Sequence, residues 1–152
     1  MRGPHGQELP GAVLFACTLN SVRSPMAAAL MQHLFGKFVY VDSAGVRAGE
    51  LDPFAVEVME EVGIEIAKYK PKAFEDLEDG SFELAITLSP EAQHRAIEMT
   101  RTSAVDIEYW PTMDPTAVEG TREQRLDAYR QVRDELMRRI RERFEERPAA
   151  DT

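Results

Sequence analysis

The residues of this chain that could do chemistry gather in one short stretch, Ala12-Val-Leu-Phe-Ala-Cys17-Thr-Leu-Asn-Ser-Val-Arg23-Ser24-Pro-Met26. Cys17 is the only cysteine, and Arg23 follows it at the spacing C-x5-R. The apolar run before it, Ala12 to Ala16, reads as a buried strand. Met26-Ala-Ala-Ala-Leu-Met31 after it reads as a helix of strong formers. A loop that leads from a strand into a helix N-terminus turns several backbone N–H groups toward one spot, and the helix dipole adds partial positive charge there. An oxyanion fits such a cradle. Thr18, Leu19, Asn20, Ser21 and Val22 would line it, and Arg23 would clamp two of the oxygens. Cys17 feels the same field, which favours its thiolate, a nucleophile facing a bound tetrahedral anion. Ser24 can donate a hydrogen bond to the sulfur, and Asn20 tolerates the left-handed backbone that a tight cradle requires. A cysteine at a strand end is most often a small hydrophobe, and C-x5-R alone arises by chance. Strand, C-x5-R-S, Pro25 early in the helix and the alanine-rich helix make a far more specific pattern together.

A cradle of this kind needs a scaffold, and the rest of the chain alternates strands with helices. The first helix covers Ser24 to about Phe35 and ends near Gly36, and Phe38 to Ser43 reads as a second strand. Pro53 to Val62 reads as a second helix, with Asp52 as its cap, Val56, Met59 and Val62 one turn apart and Gly63 at its end. Lys68, Lys70 and Lys72 form a basic cluster in the connection that follows, and a short helical piece fits Phe74 to Leu77. Phe82 to Leu88 reads as a central strand. Ser89 and Pro90 cap and open a helix to about Met99, and Val105 to Trp110 is the last strand. A long helix from Thr121 to Arg147 carries Leu126, Tyr129, Val132, Leu136, Ile140 and Phe144 at helical spacing, with Glu135 and Arg139 able to pair on its wet face. The expected fold is α/β: a single three-layer domain over residues 12–147, with a four-stranded parallel sheet and helices on both faces. A loose N-terminal tail at 1–11 and a C-terminal tail at 148–152 flank it. Ligands of such folds sit beyond the carboxyl ends of the strands, so Cys17, Ser43, Leu88 and the loop after Trp110 are expected to converge.

Bulk composition narrows the function classes. The 152 residues, 43% hydrophobic and 30% charged, suit one soluble domain with a real core. No run approaches a membrane span, and the first eleven residues lack the apolar segment of a signal peptide, which points to the cytoplasm. A single cysteine excludes an internal disulfide and a cysteine metal cluster, and it fits a reducing compartment. The net charge of −9 argues against nucleic acid or an anionic membrane as partner, yet leaves a short-range anion site untouched. His5, His33 and His94 read as surface residues without catalytic partners.

Cys17-Thr-Leu-Asn-Ser-Val-Arg-Ser-Pro-Met26 resembles the phosphate-binding loop of the low-molecular-weight protein tyrosine phosphatase superfamily, which also contains the thiol-dependent arsenate reductases. The likeness runs from about Val13 to Phe144. Ser43-Ala44-Gly45 resembles the motif after the second strand, and Pro53 to Ile64 and Trp110 to Asp114-Pro115 are similar to both branches. The resemblance implies that Cys17 is the nucleophile and forms a phosphocysteine, and that Arg23 and the Thr18-to-Arg23 backbone bind phosphate. It implies that Ser43 supports the cradle through Asn20, and that Asp114 is general acid and then base, aimed by Pro115. The activity so implied is a metal-free phosphomonoesterase acting on a phosphorylated protein or a small phosphate ester. It also implies an alternative, reduction of arsenate with an external small thiol such as glutathione. A third reading is an oxyanion-binding regulatory protein with weak catalysis. Four departures stand out. Leu19 occupies a place where both branches often have glycine, and Val22 replaces the second loop cysteine of many relatives. Thr116 and Ala117 follow Asp-Pro where tyrosine phosphatases usually have an aromatic residue, and the downstream cysteine pair of thioredoxin-coupled reductases is missing. The long helix after Asp114 looks more like the reductase branch.

Overall fold

The first strand, β1 (Ala12–Cys17), lies inside the sheet because nearly everything in it avoids water: Val13 to Cys17 are all buried. In the computed structural model, which describes residues 2–4, 6–78 and 81–145, β1 pairs in parallel with β2 (Tyr40–Gly45) on one side and β3 (Leu84–Thr87) on the other. The fourth strand, β4 (Asp106–Tyr109), pairs with β3 and completes the order β2-β1-β3-β4. Alternate residues of β1 feed two cores on opposite faces. Val13, Phe15 and Cys17 enter the larger, and Leu14 and Ala16 the smaller. Helices α1 (Arg23–Phe35), α2 (Pro53–Glu60) and α4 (Arg122–Phe144) cover the larger core, and α3 (Pro90–Met99) covers the other through Ala92 and Ala96. This is the expected three-layer α/β arrangement with a four-stranded parallel sheet.

The caps follow the sequence. Asp52 accepts from Phe54 N at 2.8 Å with Pro53 opening α2, and Ser89 accepts from Ala92 N with Pro90 opening α3. Thr121 and Gln124 form a reciprocal capping box at the start of α4. Element limits differ in places, for local reasons. The second strand starts at Tyr40 and runs on to Gly45, because Phe38 N and Val39 N both bond back to Phe35 O and close a turn. Helix α2 stops at Glu60, and Gly63 reverses the chain at φ +78°. The buried side chains of α2 are therefore Ala55, Val58 and Met59, while Val62 lies beyond the helix and is 42% exposed. All six apolar residues expected to face inward from α4 are buried. The Glu135–Arg139 pair does not form: Arg138 takes both Glu135 and Glu142, and Arg139 lies 5.1 Å from the centre of the Trp110 ring. Helix α4 ends at Phe144 with Glu145 as its C-cap, short of the expected Arg147; Arg147 itself and the C-terminal tail lie outside the described residues. Part of the stretch expected as a loose N-terminal tail is anchored. Leu9 is buried in the larger core, and Gln7 Nε2 donates to Phe144 O at 2.9 Å. No helix among the described residues is long and apolar enough to cross a membrane.

Candidate active site

The loop from β1 to α1 is shaped from outside by the segment that follows β2. Val46 N, Arg47 N, Gly49 N and Asp52 N donate to the carbonyls of Cys17, Thr18, Leu19 and Ser21, at 2.8 to 3.1 Å. With the carbonyls held outward, trans peptide geometry turns the N–H groups of Thr18, Leu19, Asn20 and Val22 to the opposite side. The cap position of α1, Val22, has no side-chain acceptor, so the positive end of that helix is left to the loop. The belt can approach this closely because Gly49 lies within it and Gly45 just before it. A Cβ on Gly45 would sit 2.8 Å from Asn20 N, and one on Gly49 would sit 2.5 Å from Ser21 Oγ.

Asn20 makes the turn inside that belt. It is the one non-glycine residue with left-handed backbone among the described residues, at φ +55°, and it is fully buried. Its amide is satisfied on both sides. Nδ2 donates to Ser24 Oγ at 2.8 Å and Ser43 Oγ at 3.0 Å, and Oδ1 accepts from Tyr69 Oη at 2.6 Å and Lys72 N at 2.9 Å. Ser24 Oγ in turn lies 2.9 Å from Cys17 Sγ. Lys72 Nζ pairs with Asp42 at 2.6 Å, fastening the same segment to β2. Burial lowers the Lys72 pKa, but the hydrogen bond and charge of Asp42 outweigh it and hold the amine above the ordinary lysine value. Burial raises the Tyr69 hydroxyl above the ordinary phenol value, so it stays a donor.

Over the loop lies a cleft of about 300 Å³ whose walls include Cys17, Leu19, Arg23, Glu91, Asp114 and Thr116. Thr18, Ser21 and Val22 line it as well. Arg23 Nη1 donates to Thr112 O at 3.0 Å, which ties the cradle to the loop that carries Asp114. Asp114 is exposed; its Oδ1 accepts from Thr116 N and Oγ1, at 3.0 and 2.7 Å, and the buried Pro115 opens a short 3-10 turn, Pro115–Ala117. Thr18 Oγ1 donates to Ser89 Oγ at 3.0 Å, joining the loop to the cap of α3.

Most of the residues singled out in the sequence thus meet at one place. Asn20, expected to line the cradle, has its side chain fully buried behind the loop and turned to Ser24 and Ser43, so its backbone N–H is what it offers a ligand; Ser24 is fully buried beside Cys17 Sγ, where its expected hydrogen bond to the sulfur places it. The left-handed turn at Asn20 is what directs its amide inward. Leu19, 43% exposed, points to the cleft. Sequence reasoning missed Tyr69 and the backbone of Lys72. Their only signal was a basic cluster in an unpatterned connection, and long-range hydrogen bonding leaves no period in a sequence. Among the described residues no group of three or more His, Cys, Asp or Glu could hold a metal ion.

Known proteins place this architecture. The arsenate reductase of Bacillus subtilis (strain 168) is 35% identical over 130 residues, which are 86% of this chain and 92% of that protein. Among solved structures, the YwlE arginine phosphatase from Geobacillus stearothermophilus superposes with a TM-score of 0.66 at 28% identity, covering 86% of this chain and 88% of that one. The tyrosine phosphatase amsI of Erwinia amylovora, at 17% identity, shares the fold with a TM-score of 0.70 over 88% and 90% of the two chains. Residues 12–149 match the model of the family described as low molecular weight phosphotyrosine protein phosphatase, and the chain, with a parallel sheet that ends in a C-x5-R loop, belongs to that family.

Proposed function

We propose that the chain is a cysteine-dependent phosphomonoesterase. The observation that carries this reading is that Asp114, from the loop after the last strand, lines the same cleft as Cys17 and Arg23. A nucleophile, an anion clamp and a proton donor then share one ligand. The loop N–H groups and Arg23 bind the phosphoryl oxygens, and the charge they supply needs no metal. The Cys17 thiolate attacks phosphorus, and the bond to the leaving oxygen breaks as Asp114 hands that oxygen its proton. A phosphocysteine results. Water then attacks phosphorus and gives its proton to Asp114. The Sγ–P bond breaks, and the departing thiolate is met by the Ser24 hydroxyl 2.9 Å away. The solved neighbour named an arginine phosphatase supports hydrolysis as the reaction type.

The name of the Bacillus subtilis relative favours a second reading, reduction of arsenate. The same attack on arsenate leaves arsenic bonded to Cys17. With one cysteine in the chain, the electrons must come from outside. An external thiol attacks Sγ, arsenite leaves with the sulfur–arsenic electron pair, and a second thiol releases Cys17 from the mixed disulfide.

Both readings are separated by a pH–rate profile for an aryl phosphate, without metal and with fresh reductant, on the wild type, Cys17→Ser and Asp114→Asn. Hydrolysis is expected in the wild type, absent in Cys17→Ser, and without one limb of the profile in Asp114→Asn. A wild type that leaves the ester intact, yet turns over arsenate with glutathione, would move the protein to the second reading.

A further inference from the structure

We infer that Thr116 is a positioning residue for the proposed acid: its hydroxyl holds Asp114 Oδ1 and so leaves the proton to Oδ2. The inference rests on the reading of Asp114 as the group that protonates the leaving oxygen. Its basis is two hydrogen bonds that end on one atom. Thr116 N donates to Asp114 Oδ1 at 3.0 Å, and Thr116 Oγ1 donates to the same oxygen at 2.7 Å. A carboxyl oxygen has two acceptor sites, and both of those on Oδ1 are then taken. Oδ2 has no hydrogen-bond partner among the described residues. With the proton on Oδ2 and a leaving oxygen in the cleft, three hydrogen bonds form, two at Oδ1 and one from Oδ2 to the substrate. Moving the proton to Oδ1 turns it toward Thr116 and forfeits the bond to the substrate, which is the one that does the chemistry.

The backbone that carries Asp114 is fixed by other contacts. Arg23 Nη1 holds Thr112 O at 3.0 Å, Thr112 N donates to Leu88 O at 3.1 Å, and Pro115 is buried. What is left for the Thr116 side chain to decide is the turn of the carboxyl about its own bonds. The Thr116 N–H keeps one site of Oδ1 whatever the side chain is, and the hydroxyl keeps the other. As the proton leaves, negative charge grows on the carboxyl and both bonds strengthen, so they count for more in the transition state than before it. Asp114 and Thr116 are both exposed, so water competes for the place of the hydroxyl, and the effect is that of one bond in reach of solvent. A water is not tethered there, whereas the hydroxyl is held two residues from the carboxyl it meets.

The test sets a leaving group that needs the proton against one that does not, on the full chain and without metal. Values of kcat/KM for an alkyl phosphate and for a nitrophenyl phosphate are read at the plateau of each pH profile, where protonation of the enzyme is not limiting. Thr116→Val is expected to lose roughly fivefold on the alkyl ester, the weight of one hydrogen bond in reach of water, and far less on the nitrophenyl ester. Thr116→Ser keeps a hydroxyl and should recover most of the rate. In an Asp114→Asn background the valine change should add nothing, since its effect runs through Asp114. Thr116→Ala carries the comparison if the valine variant does not fold. A full alkyl-ester rate in Thr116→Val overturns the inference. So does an equal loss on both esters, which would mean a changed cleft, and so do full additivity with Asp114→Asn and a serine variant no better than the valine one. A wild type that leaves both esters intact, or an Asp114→Asn variant that loses equally on both, sinks the reading of Asp114 as the acid. An Asp114→Asn variant that depends on the leaving group, beside a Thr116→Val variant that does not, sinks the role of Thr116 alone.

Discussion

Cys17 is at once the last residue of a buried strand and the first of the C-x5-R loop, and the two positions explain why it is 2% exposed yet opens on a cleft. The proton donor proposed opposite it is tested by leaving-group dependence. Asp114→Asn is expected to cut kcat/KM, which reports the step that expels the leaving group, by about 10²–10⁴ for an alkyl phosphate and much less for a nitrophenyl ester, whose leaving group needs no proton. Equal losses on both, in steady-state assays, would remove Asp114 from that role. Gly45 offers a sharper test of the cradle. Its Cβ would meet Asn20 N and the Leu19 carbonyl carbon, both at 2.8 Å, and backbone does not yield as a side-chain tip does. Gly45→Ala is expected to raise KM for an aryl phosphate and the inhibition constant of inorganic phosphate together, with the circular dichroism spectrum unchanged. Asn20 was legible as a left-handed residue from its type. Its link to Ser43 came from the resemblance, and that the same amide would also hold Ser24 and accept from Tyr69 was not legible.

The junction of α2 with α4 shows what an element-scale contact does here. Arg133 is buried on α4, and its Nη1 donates to Val58 O at 2.7 Å and to Glu61 Oε1 at 2.8 Å. Val58 and Glu61 stand at the end of α2, whose first residue follows Asp52, and Asp52 N is part of the belt around the loop. Arg133→Met would leave the Val58 carbonyl without that donor in a buried place. A loss of about 2 kcal/mol is expected in urea unfolding. Arg138→Met, on the wet face of the same helix with its charges in water, is expected to show no measurable change. Periodicity read the buried face of α4 residue by residue. It misread α2, where Val62 was placed on the apolar face but the helix ends two residues earlier, at a turn that Gly63 completes.

For the whole molecule, the shifted groups set a stability profile with two limbs. The Arg130 hydrogen bond, with Arg133 beside it, holds Glu61 below its ordinary value of 4.5. Its contribution is present above that value and is lost as pH falls below it, because the unfolded chain then binds the proton first. Burial, and for Tyr129 the hydrogen bond to Asp52, raises Tyr69 and Tyr129 above the ordinary phenol value of 10, and Lys72 also lies above its own of 10.5. A raised value in the folded state means the opposite sign: stability is whole below the ordinary value and falls as pH climbs past it. Urea midpoints should therefore be flat across neutral pH and drop at both ends. Tyr129→Phe should make the alkaline limb shallower; an unchanged slope would remove Tyr129 from the account.

Local chemistry was readable in the linear chain wherever neighbours in sequence are also neighbours in space. The C-x5-R loop, the Asp52–Pro53 and Ser89–Pro90 helix starts, the apolar stripe of α4 and the alternation of strands with helices all belong to that class. They rest on propensity, capping and hydrophobic period, which act within a turn or two. The belt from Val46 to Asp52 and the Tyr69–Asn20–Ser24 relay belong to the other. They join residues separated by tens of positions, and they exist because a parallel sheet carries every strand end to the same edge. Side-chain hydrogen bonds made across that edge follow no repeat along the chain, so folding alone brings them into being.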